Sequence, residues 1–427
     1  MQGRLRGTHR PMAPEAPSMW SDAPMRTAAL LLLATAVSFA EPAPKRMGYL
    51  GAQLEDATVD GNARVRVVRV VPDAPAAAAG LQEGDIVERF GGADAATTAG
   101  VISAVREAGA GATVKVGILR DGERKELTLT LGVHPMALLE EPDLSPGMLP
   151  VAVERDLPYV LGDMAPHERH KLNLFLPRTD GSFPVVLWIH AGAWSYGDRA
   201  GETALAMRFA ERGVGFAAIS YRLSSKIWNE PAASKEGFRH PAHAEDCAMA
   251  FAWLPRRFPK SALFVSGHSC GAHLAALLAL DPRYLATHGL GTGEIRGVIA
   301  IGGGYDLVKY HAILADGLDG EPGLGKEKAD AHLKWIFGDT EADWIAASPT
   351  THLKGCTTPM LVVAEREPSM RRYTKDFEEA AKVAGVTSIR FRYAEDRTHG
   401  QTPQLMSKKS PDPVRDEAIA FIRELAR

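Results

Sequence analysis

Ser269 lies between two glycines in the run Gly267-His268-Ser269-Cys270-Gly271. The apolar stretch before it, Ala262 to Ser266, reads as a strand, and the Ala-rich stretch after it, Ala272 to Leu280, reads as a helix. A serine on a sharp strand-to-helix turn is presented at a helix N-terminus, where developing negative charge is favoured, and the glycines keep bulk away from it. That is the setting of an acyl-transfer nucleophile. A serine hydroxyl needs a base to take its proton, and the base needs an acid to orient it. The histidines after Ser269 are His273, His288, His311, His332, His352 and His399. Only His399 follows the last expected strand, Ser388 to Tyr393, and precedes the last expected helix, Pro413 to Ala426. His273 lies on the nucleophile's own helix and is expected to point back toward the sheet.

The elements that must position these groups alternate between strand-like and helical patterns. Val185 to His190, Val214 to Ser220, Val298 to Ile301 and Met360 to Val363 read as strands. Glu202 to Arg212, Ala242 to Arg257 and Thr374 to Ala384 read as helices. Such alternation predicts an α/β fold with a mostly parallel sheet covered on both faces, and a site at the C-terminal ends of its strands. Residues 305–350 are long enough to form a cap, with Trp335, Phe337 and Trp344 available to line or pack it.

The chain has 427 residues, room for two or three domains. Residues 48–132 differ from the rest. Alternating runs at Arg64 to Val70 and Thr113 to Leu119, an Asp121-Gly122 hairpin signal and a helical pattern at Val101 to Ala108 predict a small β-rich domain. Residues 133–152 are a Pro-rich connector, and residues 153–427 form the larger domain. With 49 Lys+Arg against 52 Asp+Glu, no basic excess exists to displace counterions from a nucleic acid.

Two resemblances follow from these motifs. Gly48-Tyr49-Leu50-Gly51, Pro72 to Leu81 and Gly84-Asp85-Ile86-Val87 resemble a bacterial PDZ domain. That resemblance implies that Tyr49, Leu50 and Gly51 line a loop for a peptide C-terminal carboxylate, beside a strand that accepts the peptide as an added strand. The larger domain resembles an α/β-hydrolase of the group with feruloyl-esterase-like and hormone-sensitive-lipase-like enzymes and kynurenine formamidases. His190-Ala191-Gly192-Ala193-Trp194 is similar to that group's oxyanion loop, with alanine at two positions that are usually glycine. The resemblance implies oxyanion donors at Gly192 or Ala193 and at Cys270, with His190 holding the loop. The triad order Ser, acid, His implies His399 as base. Pro359 to Glu367 resembles the strand that carries the acid and places Glu367 in that role, with Glu365 second and Asp396 third. Tyr221-Arg222-Leu223 and His240 to Cys247 are further similar segments, in which Asp246 is expected to tie loops together.

Arg26, the apolar run Ala28 to Val37 and Ser38-Phe39-Ala40 predict a signal peptide over residues 1–40, with Met25 as an alternative start, and hence a secreted or periplasmic protein. That run is too short to span a bilayer, so no integral membrane span is expected. Cys247, Cys270 and Cys356 lack metal-site spacing and read as buried small hydrophobes. His167 to His170 is one residue short of the zinc-helix spacing, and Gly302-Gly303-Gly304 lacks a dinucleotide pattern, so no cofactor or metal is expected. Gly302 to Gly304 fits close backbone packing near the active-site mouth. The expected function is hydrolysis of a small-molecule or carbohydrate-linked carboxylic ester through a Ser-His-Glu triad and an acyl-enzyme. Alternatives are an arylformamidase, a peptidase, or a PDZ scaffold with a decayed hydrolase domain.

Overall fold

The computed structural model describes residues 48–133, 139–160, 167–225, 237–318 and 320–427. The expected signal peptide lies outside the described residues.

In the N-terminal segment, five strands, Ala52–Val59, Asn62–Val70, Ile86–Phe90, Thr113–Arg120 and Glu123–Thr130, pair in that order. The pairings are antiparallel. Asp121 and Gly122 take φ of 52° and 81°, the left-handed pair that a tight two-residue hairpin requires. Alternate residues Val65, Val67, Val116 and Ile118 are buried and meet Val101 and Val105 from the helix Thr98–Ala108. Ala52–Val59 is left at the sheet edge.

In the C-terminal segment the sheet strands are β1 (Val151–Pro158), β2 (Lys171–Pro177), β3 (Val185–Ile189), β4 (Gly215–Ile219), β5 (Leu263–His268), β6 (Gly297–Ile301), β7 (Met360–Ala364) and β8 (Ile389–Tyr393). Their spatial order is β1-β2-β4-β3-β5-β6-β7-β8. Pairs β1–β2 and β2–β4 are antiparallel and the other pairs are parallel. Every residue of β3, β4, β6 and β7 is buried, which is why these strands read as unbroken apolar runs rather than alternating ones.

The alternation is between two apolar cores. Val185, Leu187 and Ile189 face the core shared with α2 (Ala242–Arg257) and α3 (Cys270–Leu280). Val186 and Trp188 face the core shared with α1 (Thr203–Ala210) and α7 (Pro413–Leu425). The helix α3 is buried at every position from Cys270 to Leu280, so an unbroken apolar helix runs beneath the sheet and fixes the turn at its start. Between β6 and β7 lie α4 (Leu307–Asp316), α5 (Lys326–Phe337) and a shorter helix Glu341–Ala346. Next comes α6 (Pro368–Val383), which follows β7.

Strands β1 and β2 were not among the sequence expectations. They precede the alternating region, and the half-exposed pattern of β1 carries only a weak signal.

Candidate active site

Ser269 directly follows β5 with φ 57° and ψ −124°, a left-handed geometry that costs a non-glycine residue energy. Close packing holds it there. A Cβ on Gly271 would lie 2.0 Å from the Ile189 carbonyl oxygen, so only glycine lets the start of α3 approach the end of β3. The Ser269 N–H donates to the Ile301 carbonyl at 2.8 Å, which ties the turn to the end of β6.

The loop after β3 comes to the same place. Ala193 and Trp194 both take positive φ, 47° and 58°, and Gly192 accepts from the N–H groups of Ser195 and Tyr196 at 2.9 and 2.8 Å. The N–H groups of Trp194 and Ala193 lie against the Cys270 sulfur, bringing the loop to the residue after Ser269. Burial pushes the Cys270 thiol up, so it stays protonated. His190 sits behind the loop. Its ring stacks on Tyr221 at 4.3 Å, and its Nδ1 donates to the Ala191 carbonyl at 2.8 Å.

Two further strand ends supply an acid and an imidazole. Glu365, fully buried, follows β7 directly, and its Oε1 lies 3.3 Å from His399 Nδ1. The distance is that of an ion pair, but the N–H is not aligned on the oxygen. A second imidazole reaches the same oxygen: His268 Nε2 lies 3.2 Å from Glu365 Oε1. Burial alone would raise the carboxyl pKa of Glu365, but the two imidazoles outweigh it and hold the group well below the usual carboxylate range. The His268 and His399 rings are 4.3 Å apart, which sets His399 beside the turn that carries Ser269. Gly302, with φ 63° at the end of β6, makes room: a Cβ there would lie 2.5 Å from Glu365 Oε2 and 2.7 Å from His399 Nδ1.

Glu367 was expected against the imidazole of His399 and is not there. Its Oε1 accepts from the His399 backbone N–H at 2.7 Å, so it shapes the turn that carries the histidine. The reason is local. Glu365 leaves the strand pointing into the protein beside β6, whereas Glu367 has already turned toward the start of α6. Asp396 pairs with Arg397 and is exposed. His273 also departs from expectation, because its Nε2 donates to the Ala347 carbonyl at 2.9 Å rather than facing the sheet. His268 joins the site without a signal in the sequence. Its place in the motif was visible, but not its reach to Glu365.

Among the described residues, His268, Glu365 and His399 are the one set of His, Cys, Asp or Glu side chains close enough to share a metal ion, with donor atoms within 4.8 Å of one another. These atoms already face each other as imidazole N–H and carboxylate. His240, His243 and Asp246 do not converge. His243 meets Ser224 at 3.0 Å, and Asp246 accepts from His170 at 3.0 Å and from the Arg222 backbone at 2.8 Å. The three cysteines are free thiols.

Residues 48–131 match the PDZ domain family, and residues 172–372 match the BD-FAE family. The C-terminal architecture is similar to that of esterase B from Lactobacillus rhamnosis. The TM-score is 0.51 at 17% identity, over 68% of this chain and 89% of that one. This chain therefore joins a PDZ domain to an α/β-hydrolase domain. Its hydrolase domain is also similar to isoprenylcysteine alpha-carbonyl methylesterase ICME of Arabidopsis thaliana, 29% identical over 45% of this chain and 48% of the relative. A kynurenine formamidase of Salmo salar is 25% identical over 41% of this chain and 53% of the relative. The chain thus spans about half the length of these curated relatives.

In the PDZ domain, the Leu50 carbonyl accepts from Ala76 N–H and the Gly51 carbonyl from Val71 N–H, both at 2.9 Å. Tyr49 pairs with Gly132 in a short antiparallel bridge. The loop expected to hold a carboxylate is thereby fixed against the segment that follows Val70. No helix among the described residues is long and apolar enough to cross a membrane.

The hydrolase domain also encloses neutral histidines around its site. Burial pulls His190 down to about 4, and His243, His273 and His332 down to about 3. In the unfolded chain each would titrate near about 6.5. Below that pH the unfolded state binds protons that the folded state refuses, so this stability is full above about 6.5 and drains as pH falls toward the folded values. At pH 5 the loss is about 2 kcal/mol per residue, or about 8 kcal/mol for the four, against a typical total of about 5–15 kcal/mol. Urea midpoints at pH 7.5 and pH 5.0 should therefore differ severalfold. Equal midpoints would show that these rings protonate without unfolding.

Proposed function

We propose that the chain is a serine hydrolase of carboxylic esters in which Ser269 is the nucleophile, His399 the base and Glu365 the acid. The observation that supports this reading is the left-handed Ser269 directly after β5, with the His399 imidazole and the buried Glu365 carboxylate both packed on its neighbour His268. Ser269 Oγ attacks the ester carbonyl carbon as His399 Nε2 takes its proton. Glu365 holds the imidazole with Nδ1 protonated and stabilises the imidazolium. Charge on the former carbonyl oxygen is met by backbone N–H groups of the 192–193 loop and Cys270. His399 then protonates the leaving alkoxide. Water activated by the same ring cleaves the acyl-enzyme.

The relatives support ester chemistry. The kynurenine formamidase among them supports a second reading, attack on an aryl formamide, which needs the same groups. The signal-like residues 26–40 support a secreted or periplasmic location. The PDZ match, and the sheet-edge position of Ala52–Val59, support binding of a peptide C-terminus at Tyr49, Leu50 and Gly51.

The test is to treat the full chain with a fluorophosphonate and to follow p-nitrophenyl acetate turnover in parallel. A single adduct on Ser269, formed as turnover disappears, is the expected result. An adduct elsewhere, or turnover that survives labelling of Ser269, would overturn the assignment. Faster turnover of an N-formyl arylamine than of any ester would select the formamidase reading.

A further inference from the structure

The mechanism above leaves His268 without a task, although it is the residue beside the nucleophile. Its side chain is buried, 5% exposed, at the last position of β5. Of its two ring nitrogens, Nε2 meets Glu365 Oε1, whereas Nδ1 is buried with no hydrogen-bond partner. An ionised carboxylate can only accept, so Nε2 must carry the proton and the ring is fixed in that tautomer. With Nε2 committed and Nδ1 enclosed, His268 cannot itself serve as the base for Ser269.

What it can do is hold the acid. Glu365 Oε1 accepts from His268 Nε2 at 3.2 Å and lies 3.3 Å from His399 Nδ1, so the one hydrogen bond that fixes this oxygen comes from His268. Glu365 Oε2 has no hydrogen-bond partner, and the carboxylate lies against Gly302, where no side chain could pin it. The charged and titratable groups facing the cluster are His399, Glu367, which is bound to the His399 backbone, and Tyr305. Among the described residues, the ion pairs of Glu365 are with the imidazoles of His268 and His399 and with no Lys or Arg. Hence His268 Nε2–H is the fixed donor that sets the carboxylate's position before the reaction begins.

We infer that His268 is a positioning residue, whose Nε2–H clamps Glu365 Oε1 beneath the His399 imidazole and draws off part of the charge that this imidazole feels. The inference rests on the serine-hydrolase reading. Two effects follow. Without the clamp Glu365 samples other rotamers, so kcat falls while ester binding is untouched. The carboxylate, with one donor fewer, also holds the proton on its remaining imidazole partner more tightly. The acid limb of the kcat/KM profile then moves to higher pH, by roughly half a unit to one unit.

The test compares His268→Gln with His268→Asn and His268→Phe in the full chain. The Gln amide nitrogen reaches the place of Nε2, the Asn amide nitrogen that of Nδ1, and Phe keeps the ring without a donor. For p-nitrophenyl acetate, Asn and Phe should lower kcat about tenfold, the scale of one hydrogen bond to a charged group, with KM little changed and the acid limb shifted upward. Gln should restore most of kcat and the limb. If Phe fails to fold, the Asn and Gln pair still decides. Equal behaviour of Asn and Gln, or an unmoved acid limb, would overturn the inference.

A second readout does not depend on turnover. In 15N-histidine NMR spectra, His268 should appear as the Nε2–H tautomer, and its protected N–H signal should vanish in the Asn variant. An Nδ1–H tautomer would overturn the clamp even in an inactive protein. Turnover indifferent to Ser269→Ala, with the Nε2–H signal present, would instead remove the hydrolase reading and leave the hydrogen bond standing.

Discussion

Replacing Ser269 with alanine should lower kcat for p-nitrophenyl acetate by about 10⁶-fold, to the residue of catalysis that an oxyanion site and binding alone provide. The variant should fold as the parent does. The Ser269 side chain makes no capping hydrogen bond to α3, and alanine keeps the Cβ that the left-handed backbone already tolerates. A melting temperature within a few degrees of the parent, together with loss of turnover, separates chemistry from folding. A fall in kcat of less than about 100-fold would mean that another group attacks the carbonyl.

The second large effect separates two glutamates that lie two positions apart. Glu365→Gln should lower kcat by about 10⁴-fold, the scale seen when a triad acid becomes an amide. The amide turns an NH2 group or a weak acceptor toward two imidazoles that each need an anionic acceptor, and the wrong tautomer of the base then predominates. Glu367→Gln should cost less than about tenfold, because an amide oxygen can still accept from the His399 backbone N–H. Steady-state kinetics of both variants, each checked for folding by far-UV circular dichroism, decides between them. A larger loss at position 367 would reverse the assignment.

That pair of glutamates shows where the sequence ceased to be legible. The nucleophile turn could be read because the backbone demands it: two glycines, a strand of buried apolar residues and an alanine-rich helix are local requirements written in consecutive residues. The α/β alternation was legible for the same reason, since each strand buried on both faces is an apolar run. The acid was not. Pro359 to Glu367 announces a strand that ends near an acid, but the direction in which each side chain leaves the strand depends on where it stops and on what the neighbouring strand end leaves open. Here the pairing runs to Ala364, and Gly302, directly after β6, opens the space that Glu365 fills. The tie between His268 and Glu365 spans 97 positions and leaves no trace in spacing.

The positions of the three groups along the chain also set an order of events during synthesis. Ser269 and its turn are made with the middle of the sheet, whereas Glu365 and His399 arrive with the last two strands, β7 and β8. A nascent chain therefore holds Ser269 without Glu365 and His399 until almost all of it has left the ribosome. On the proposed triad, a fragment that stops before Thr398 should be silent toward esters however well its first strands have formed. On that reading ester turnover first becomes possible with the closing edge of the sheet, so truncated and full-length chains should differ in kind rather than in degree.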